Sequence, residues 1–270
     1  MSLRVLVRGV GDIGSAVAHR VFSAGFHVVM HDDPTPSATR RGMAFADAVF
    51  DGRAVLEGVR AVRAHDLDQV QHVLACGDTI PIYVGSWEAL LPMLRPRVLI
   101  DARMRKHSTP EVQRGLAHLT IGLGPSLEAG HHADVVIETS WDGLGRVITD
   151  GSTLPLAGEP RQIAGHGRDR YIYAPRDGVF RTGARIGDVV RQGQAIAAIE
   201  DVVLTAPLDG TLQGLTRDGV SVKTRTKVIE VDPRGRSAGA WGIGERPQRI
   251  AESALTAIQT WERTATAGRR

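Results

Sequence analysis

Leu3-Arg4-Val5-Leu6-Val7 alternates like a strand. After it Ile13, Val17 and Val21 recur at helical spacing, joined by Ala16 and Ala24, and Gly25 stands where a glycine ends a helix. Phe26 to Met30 reads as a second strand, followed by His31-Asp32-Asp33. The α/β rhythm continues. Ala54 to Val62 is strand-like, Asp66 is placed to cap a helix through Leu74, and Thr79 to Val84 is a strand. Pro81 implies an edge or a strand start. Trp87 to Leu94 reads as a short helix and Arg97 to Asp101 as a strand. Two further apolar runs are Leu119 to Leu123 and Ala133 to Ile137; Asp142-Gly143 is a turn into Leu144 to Ile148.

The pattern changes near residue 170. Ala174-Pro175-Arg176-Asp177-Gly178 returns as Ala206-Pro207-Leu208-Asp209-Gly210. At the same shift Gly187 meets Gly219, Val190 meets Val222, Ile196 meets Val228, and Ile199 meets Val231. A duplication of this size predicts paired short-strand halves with pseudo-two-fold symmetry. In the tail, Ile250, Ala254, Ala257, Ile258 and Trp261 share one helical face. A helix over residues 248–262 is expected, packed on the body or on a second subunit, with 264–270 frayed.

The expected fold class is α/β. It comprises a Rossmann-like parallel-sheet domain over residues 1–104, an extension of that domain over 105–169, a small all-β domain over 170–235, and a C-terminal helix and tail over 236–270.

Composition narrows the function classes. Apolar residues make up 42% and charged residues 23% of the 270, as in ordinary globular chains. The single cysteine, Cys76, excludes an internal disulfide framework and a cysteine-cluster zinc site; after an apolar helix end it is expected to be buried and inert. The net charge is only +3, carried mostly by dispersed arginines, with aromatics at 4%. That footprint argues against a nucleic-acid partner. The expectation is a cytoplasmic protein with neither a membrane span nor a signal-peptide core.

The sharpest chemical signal is Gly9-Val10-Gly11-Asp12-Ile13-Gly14, a G-x-G-x-x-G between the first strand and helix. Gly9 permits the tight turn, Gly11 lets a pyrophosphate approach the backbone, and Gly14 allows close packing of helix on strand. The helix N-terminus favours an anion. Asp32 or Asp33 is placed to bind a ribose hydroxyl, and Arg40 and Arg41 to favour a 2′-phosphate. The expected ligand is therefore a nucleotide, NAD or NADP. Asp12 fits a capping role but would repel a pyrophosphate. The competing reading gives the glycines to the turn alone. Asp101, at a strand end with Arg103, Arg105 and Lys106 beyond it, is a second candidate site; Asp101 and Lys106 are the candidate catalytic groups, against a loop of solvated charge. His131-His132 with Asp134 and Glu138 is set aside as a metal site, because adjacent strand side chains diverge. No metal is expected.

The A-P-x-D-G repeat resembles the barrel-sandwich hybrid fold of biotinyl and lipoyl carrier domains. Those carriers hold a modified lysine in the hairpin joining the halves. Here that join is Ile199-Glu200-Asp201-Val202-Val203-Leu204, without lysine, so no covalent biotin or lipoate is expected. A wider resemblance rests on ordered motifs: Arg8-Gly9-Val10-Gly11-Asp12, Arg40-Arg41 before Ala44-Phe45-Ala46, Val98 to Met104, Ile121 to Pro125, Val135 to Thr139, Leu144 to Ile148, the repeat, and Val231 to Gly235. In this order the chain resembles the YqeB-type accessory proteins of the selenium-dependent molybdenum hydroxylase system. The resemblance implies a Rossmann-like domain and a role in maturing or supporting a hydroxylase of the xanthine dehydrogenase kind, with that enzyme as client. An NAD(P)-dependent oxidoreductase acting on a small substrate is the alternative; a non-enzymatic interaction protein is the third reading. A homo-oligomer is a further candidate partnership.

Overall fold

The computed structural model describes residues 3–105, 110–156, 160–235 and 239–267. The chain forms two compact units. Unit 1 contains Met1–Pro34, Phe45–Ala157 and Ile243–Arg270; unit 2 contains Thr35–Ala44 and Gly158–Gly242. The linear division expected from the sequence is therefore corrected. The segment around Arg40 leaves the first domain for the β unit, and the C-terminal helix returns to unit 1.

Among its described residues unit 1 carries nine strands and five helices. The strands are β1 (Arg4–Arg8), β2 (His27–His31), β3 (Arg53–Leu56), β4 (Val59–Ala64), β5 (Ile80–Tyr83), β6 (Val98–Asp101), β7 (Leu119–Leu123), β8 (Val135–Ile137) and β9 (Val147–Ile148). The helices are α1 (Asp12–Ser23), α2 (Ala48–Asp51), α3 (Leu67–Cys76), α4 (Trp87–Leu94) and α5 (Glu245–Ala267). The sheet order is β3-β4-β5-β2-β1-β6-β7-β8-β9.

The expected Rossmann-like parallel sheet is corrected here. The sheet is mixed: β3 runs antiparallel to β4, and β9 antiparallel to β8. A hairpin causes the first reversal, with Glu57 and Gly58 at φ 44° and 83° making the tight left-handed turn that suits strand twist. Nor do helices alternate with strands throughout. Among the described residues no helix lies between β6 and β7 or between β7 and β8. Gly115, Gly124 and Gly130, all at positive φ, punctuate those connections instead. Pro81 does not mark an edge, since β5 lies between β4 and β2, but it does fall at the strand start, as the second residue of β5. Its pairing with β2 begins only at Ile82, so the missing Pro81 N–H is not required on that side.

Strand alternation sets two faces. On one, Leu6, Val29, Ala64 and Tyr83 pack with Val70 and Leu74 of α3 and Leu90 and Leu94 of α4. Asp66 caps α3 by accepting from the Gln69 amide, and Ser86 caps α4 by accepting from the Ala89 amide. The helix α5 packs along α1, burying Ile250, Ala251, Ala254, Ala257 and Ile258. It starts earlier and ends later than its apolar stripe suggests. No helix among the described residues is long and apolar enough to cross a membrane.

Unit 2 contains β10 (Tyr171–Tyr173), β11 (Gly178–Thr182), β12 (Val189–Val190), β13 (Ala195–Ile199), β14 (Val202–Thr205), β15 (Gly210–Leu215), β16 (Ser221–Val222) and β17 (Lys227–Asp232). Two four-stranded sheets run β10-β17-β15-β12 and β14-β13-β11-β16. The repeat is visible in the topology. β11, β12 and β13 correspond to β15, β16 and β17, and each half lends its short middle strand to the other half's sheet. Thr35–Ala44 lies along β15, where the Thr39 carbonyl accepts from the Leu215 amide at 2.8 Å.

Candidate functional site

The glycine loop joins β1 to α1 in unit 1. Gly9 sits at φ +112°, and a Cβ there would lie 2.8 Å from the Ala102 carbonyl oxygen. A Cβ on Gly14 would lie 2.1 Å from the Gly9 carbonyl oxygen, so helix and loop meet through bare backbone. Gly11 differs. It has an ordinary φ of −66°, it is the N-terminal cap residue of α1, and nothing lies within 4 Å of a Cβ built on it. Within unit 1, then, neither conformation nor crowding demands glycine at position 11.

The loop is held from both sides. The Val10 amide donates to Oδ2 of Asp32 at 2.7 Å, and the Val10 carbonyl accepts from Oγ of Ser15 at 2.9 Å. The Ser15 hydroxyl in turn accepts from the Phe45 amide at 2.8 Å. Oδ1 of Asp32 accepts from the Asp33 amide. Burial raises the Asp32 carboxyl above its ordinary value, and these two amides partly offset that effect. Asp33 is exposed. Asp12 stands in the first turn of α1, its Oδ1 accepting from the Ile13 amide at 3.0 Å.

Beside this loop a polar row crosses the carboxyl ends of the central strands. Tyr83, His31, Arg8 and Asp101 are register partners across β5, β2, β1 and β6. Matched register puts their side chains on one face. Arg103 grips Asp101 through Nε at 2.9 Å and Nη2 at 2.6 Å. The Arg8 guanidinium lies 3.9 Å from the Trp87 ring centroid, a cation–π stack. Its Nη1 donates to Gln113 Oε1 at 3.0 Å and to Glu111 Oε2 at 3.3 Å. Glu111 also accepts from Arg103 Nη2 at 2.8 Å and from Arg105. The Arg103 hydrogen bond, with the charges of Arg103, Arg105 and Arg8, holds the Glu111 carboxyl down to about 2 against a smaller effect of burial. His31 Nε2 meets the Gly85 carbonyl at 3.1 Å; burial lowers its imidazole, and the Arg8 charge adds to this. Arg8 Nε and His31 Nδ1 are buried without a hydrogen-bond partner among the described residues.

The sequence-derived candidates thus divide. Gly9, Gly11, Asp12, Gly14, Asp32 and Asp33 gather at the carboxyl ends of β1 and β2 in unit 1, with Asp101 the register partner of Arg8 just before Gly9. Arg40 and Arg41 lie in unit 2. Arg40 pairs with buried Glu230 at 2.7 and 3.0 Å, and Arg41 Nε donates to the Leu215 carbonyl at 2.8 Å. Lys106 falls outside the described residues. Cys76 is exposed rather than buried, because it ends α3 on its outer side. His132 Nδ1 accepts from the Glu128 amide, and no metal-ligating cluster occurs among the described residues.

Sequence reasoning missed Arg8, His31, Trp87, Glu111 and Gln113. The first two carried a signal. Each is the polar last residue of an apolar strand, the position where open α/β sheets place ligands.

No protein-family model matches the chain. Among solved structures, the product-bound ectoine utilization protein EutE (DoeB) of Ruegeria pomeroyi is 15% identical, with 85% of each chain covered and a TM-score of 0.26. A succinylglutamate desuccinylase/aspartoacylase of Rhodobacter sphaeroides is 16% identical, covering 79% of this chain and 61% of its own, with a TM-score of 0.23. These likenesses are too slight to carry an argument about fold or activity. The chain spans about half the length of the curated relative it matches, 47%. It is 37% identical over 257 residues, 94% of its length, to the uncharacterized protein YqeB of Escherichia coli (strain K12), and is a relative of that protein.

Proposed function

We propose that the chain is a nucleotide-binding accessory protein whose glycine loop takes the phosphates of a nucleotide. The observation that carries this reading is Gly11. Gly9 and Gly14 are explained by packing inside unit 1, whereas Gly11 has an ordinary backbone and open space above it. A ligand that must approach the backbone of a helix N-terminus supplies the reason for glycine there. The bracing of Val10 by Asp32 and Ser15 preorganises the loop, which lowers the ordering cost of binding.

Asp32 fits a ribose diol. Each of its oxygens has one lone pair engaged by a backbone amide and a second available. An acidic pair at this place disfavours a 2′-phosphate, so NAD suits the site better than NADP. The accessory role toward a molybdenum hydroxylase rests on the ordered motifs shared with YqeB-type proteins. For the oxidoreductase reading, Asp101 is already engaged, since both of its oxygens accept from Arg103.

Titration of the chain with NAD, NADP, ATP and CTP tests the proposal. Binding of at least one, lost in Gly11→Val with the fold retained, is expected. Absence of binding at millimolar ligand overturns it. Co-purification with a molybdenum hydroxylase tests the client assignment separately.

A further inference from the structure

Glu111 is the one carboxylate in unit 1 on which three guanidinium groups are seen to converge among the described residues: Arg8, Arg103 and Arg105. We propose that these arginines form an oxyanion-binding site that Glu111 occupies from within the chain, and that a phosphoryl or carboxylate group of a ligand takes the place of the Glu111 carboxylate.

The site is built before the carboxylate arrives. The Arg8 and Arg103 side chains are each only 9% exposed, yet Glu111, which they share, is 41% exposed. Arg103 is aimed by its two-pronged contact with Asp101. Arg8 is clamped between the Trp87 ring and Gln113. A fixed guanidinium fork matches carboxylate and phosphate alike. The Arg8 Nε donor, buried and unpartnered, adds hydrogen-bonding capacity that Glu111 does not use.

Glu111 is the replaceable member. It lies outside helix and strand, so rotation of its side chain breaks no backbone ladder. Three arginines against Asp101 and Glu111 leave one surplus positive charge, and two once Glu111 turns away. A doubly charged oxyanion matches that surplus better than the single carboxylate. The position suits a ligand of the sheet end: Arg8 directly precedes Gly9, and the Arg103 amide would lie 3.0 Å from a Cβ on Gly9, so the backbone of these two arginines borders the glycine loop. The inference does not require nucleotide binding at Gly11, and its probes are inorganic or simple organic anions.

The experiment is calorimetric titration of the full chain with pyrophosphate and with malonate, which separate phosphoryl from carboxylate recognition. Glu111→Gln removes the competing charge and is expected to tighten one probe at least tenfold over wild type. The Glu111→Gln/Arg105→Gln double variant, altered at two half-exposed side chains, is expected to lose that gain. Equal affinity in wild type and Glu111→Gln for both probes overturns the proposal, as does undiminished affinity in the double variant. A crystal of the wild-type chain with the bound probe gives a second reading that needs no variant. Glu111 turned away from Arg103 supports the proposal; Glu111 in place with the probe elsewhere overturns it. NAD binding that persists in the double variant while probe binding is lost separates this site from the glycine loop.

Discussion

Oδ2 of Asp32 accepts from the Val10 amide at 2.7 Å, across 22 residues of sequence. This bond fixes the middle of the glycine loop to the residue that follows β2. It couples the shape of the glycine loop, proposed to take phosphates, to the acid proposed to meet the ribose.

Asp32→Ala leaves the amide of fully buried Val10 without an acceptor. A loss of about 1–3 kcal/mol in urea unfolding is expected. Asp32→Asn keeps an oxygen acceptor and is expected to cost less. The pH dependence has a definite sign. Burial raises the folded carboxyl above its ordinary 3.8, so the folded state holds this proton more tightly than the unfolded state. The associated stability is present below that ordinary value and is lost as pH rises through the folded one. The wild-type chain should therefore lose ground to Asp32→Asn as pH rises through the acid range, with a constant difference above it.

Gly14→Ala and Gly11→Ala should separate folding from binding. A Cβ on Gly14 would stand 2.1 Å from the Gly9 carbonyl oxygen, so the loop must move. A destabilisation of about 1–3 kcal/mol is expected. A Cβ on Gly11 meets nothing within 4 Å, and the cost should stay within about 1 kcal/mol, from the weaker cap alone. Nucleotide affinity should nevertheless fall in Gly11→Ala. Thermal unfolding and ligand titration of the two variants check both halves.

The elements that were legible in the sequence are those set by near neighbours. The glycine loop, its flanking strand and helix, the α3 cap and the α4 helix follow from periods and short spacings. The duplicated strands follow from a repeat that needs no knowledge of pairing. What the sequence hid depends on partners far along the chain. Arg40 looks like a loop arginine near the nucleotide motif, and only the fold brings Glu230, 190 residues away, onto its guanidinium. Glu111 looks like one charge in a polar stretch until β1 and β6 bring Arg8 and Arg103 to it. The mixed sheet was hidden for a similar reason. Hydrophobic alternation marks a strand but not its direction, so the reversals at β3 and β9 carry no periodic signature.

His31 offers a spectroscopic check on the polar row. Burial, helped by Arg8, lowers its imidazole below the ordinary 6.5, so it is neutral at pH 7. The stability linked to this neutral form is present above 6.5 and lost as pH falls through the folded value. In an NMR titration His31 should show a midpoint below 6.5 in the folded chain. Arg8→Met should move that midpoint upward and relieve the stack on Trp87, read as a change in tryptophan fluorescence. An unchanged midpoint would remove Arg8 from the imidazole's surroundings.

Unit 2 has its own buried electrostatic centre, and it should dominate acid unfolding there. The Glu230 side chain is fully buried and is paired with Arg40, Arg170 and Lys227. Burial disfavours its charge, but the three cations outweigh burial and hold the carboxyl well below the ordinary 4.5. Replacing it with alanine strands Arg170, itself 2% exposed, and should cost about 3–5 kcal/mol. Glu230→Gln keeps the shape and some hydrogen bonds and should cost less. Because the folded value is depressed, the stabilisation is complete above 4.5 and drains away as pH falls toward the folded value. The stability gap between wild type and Glu230→Gln should therefore be widest near neutrality and should narrow in acid. Denaturant unfolding of the two proteins followed by circular dichroism measures that gap at each pH.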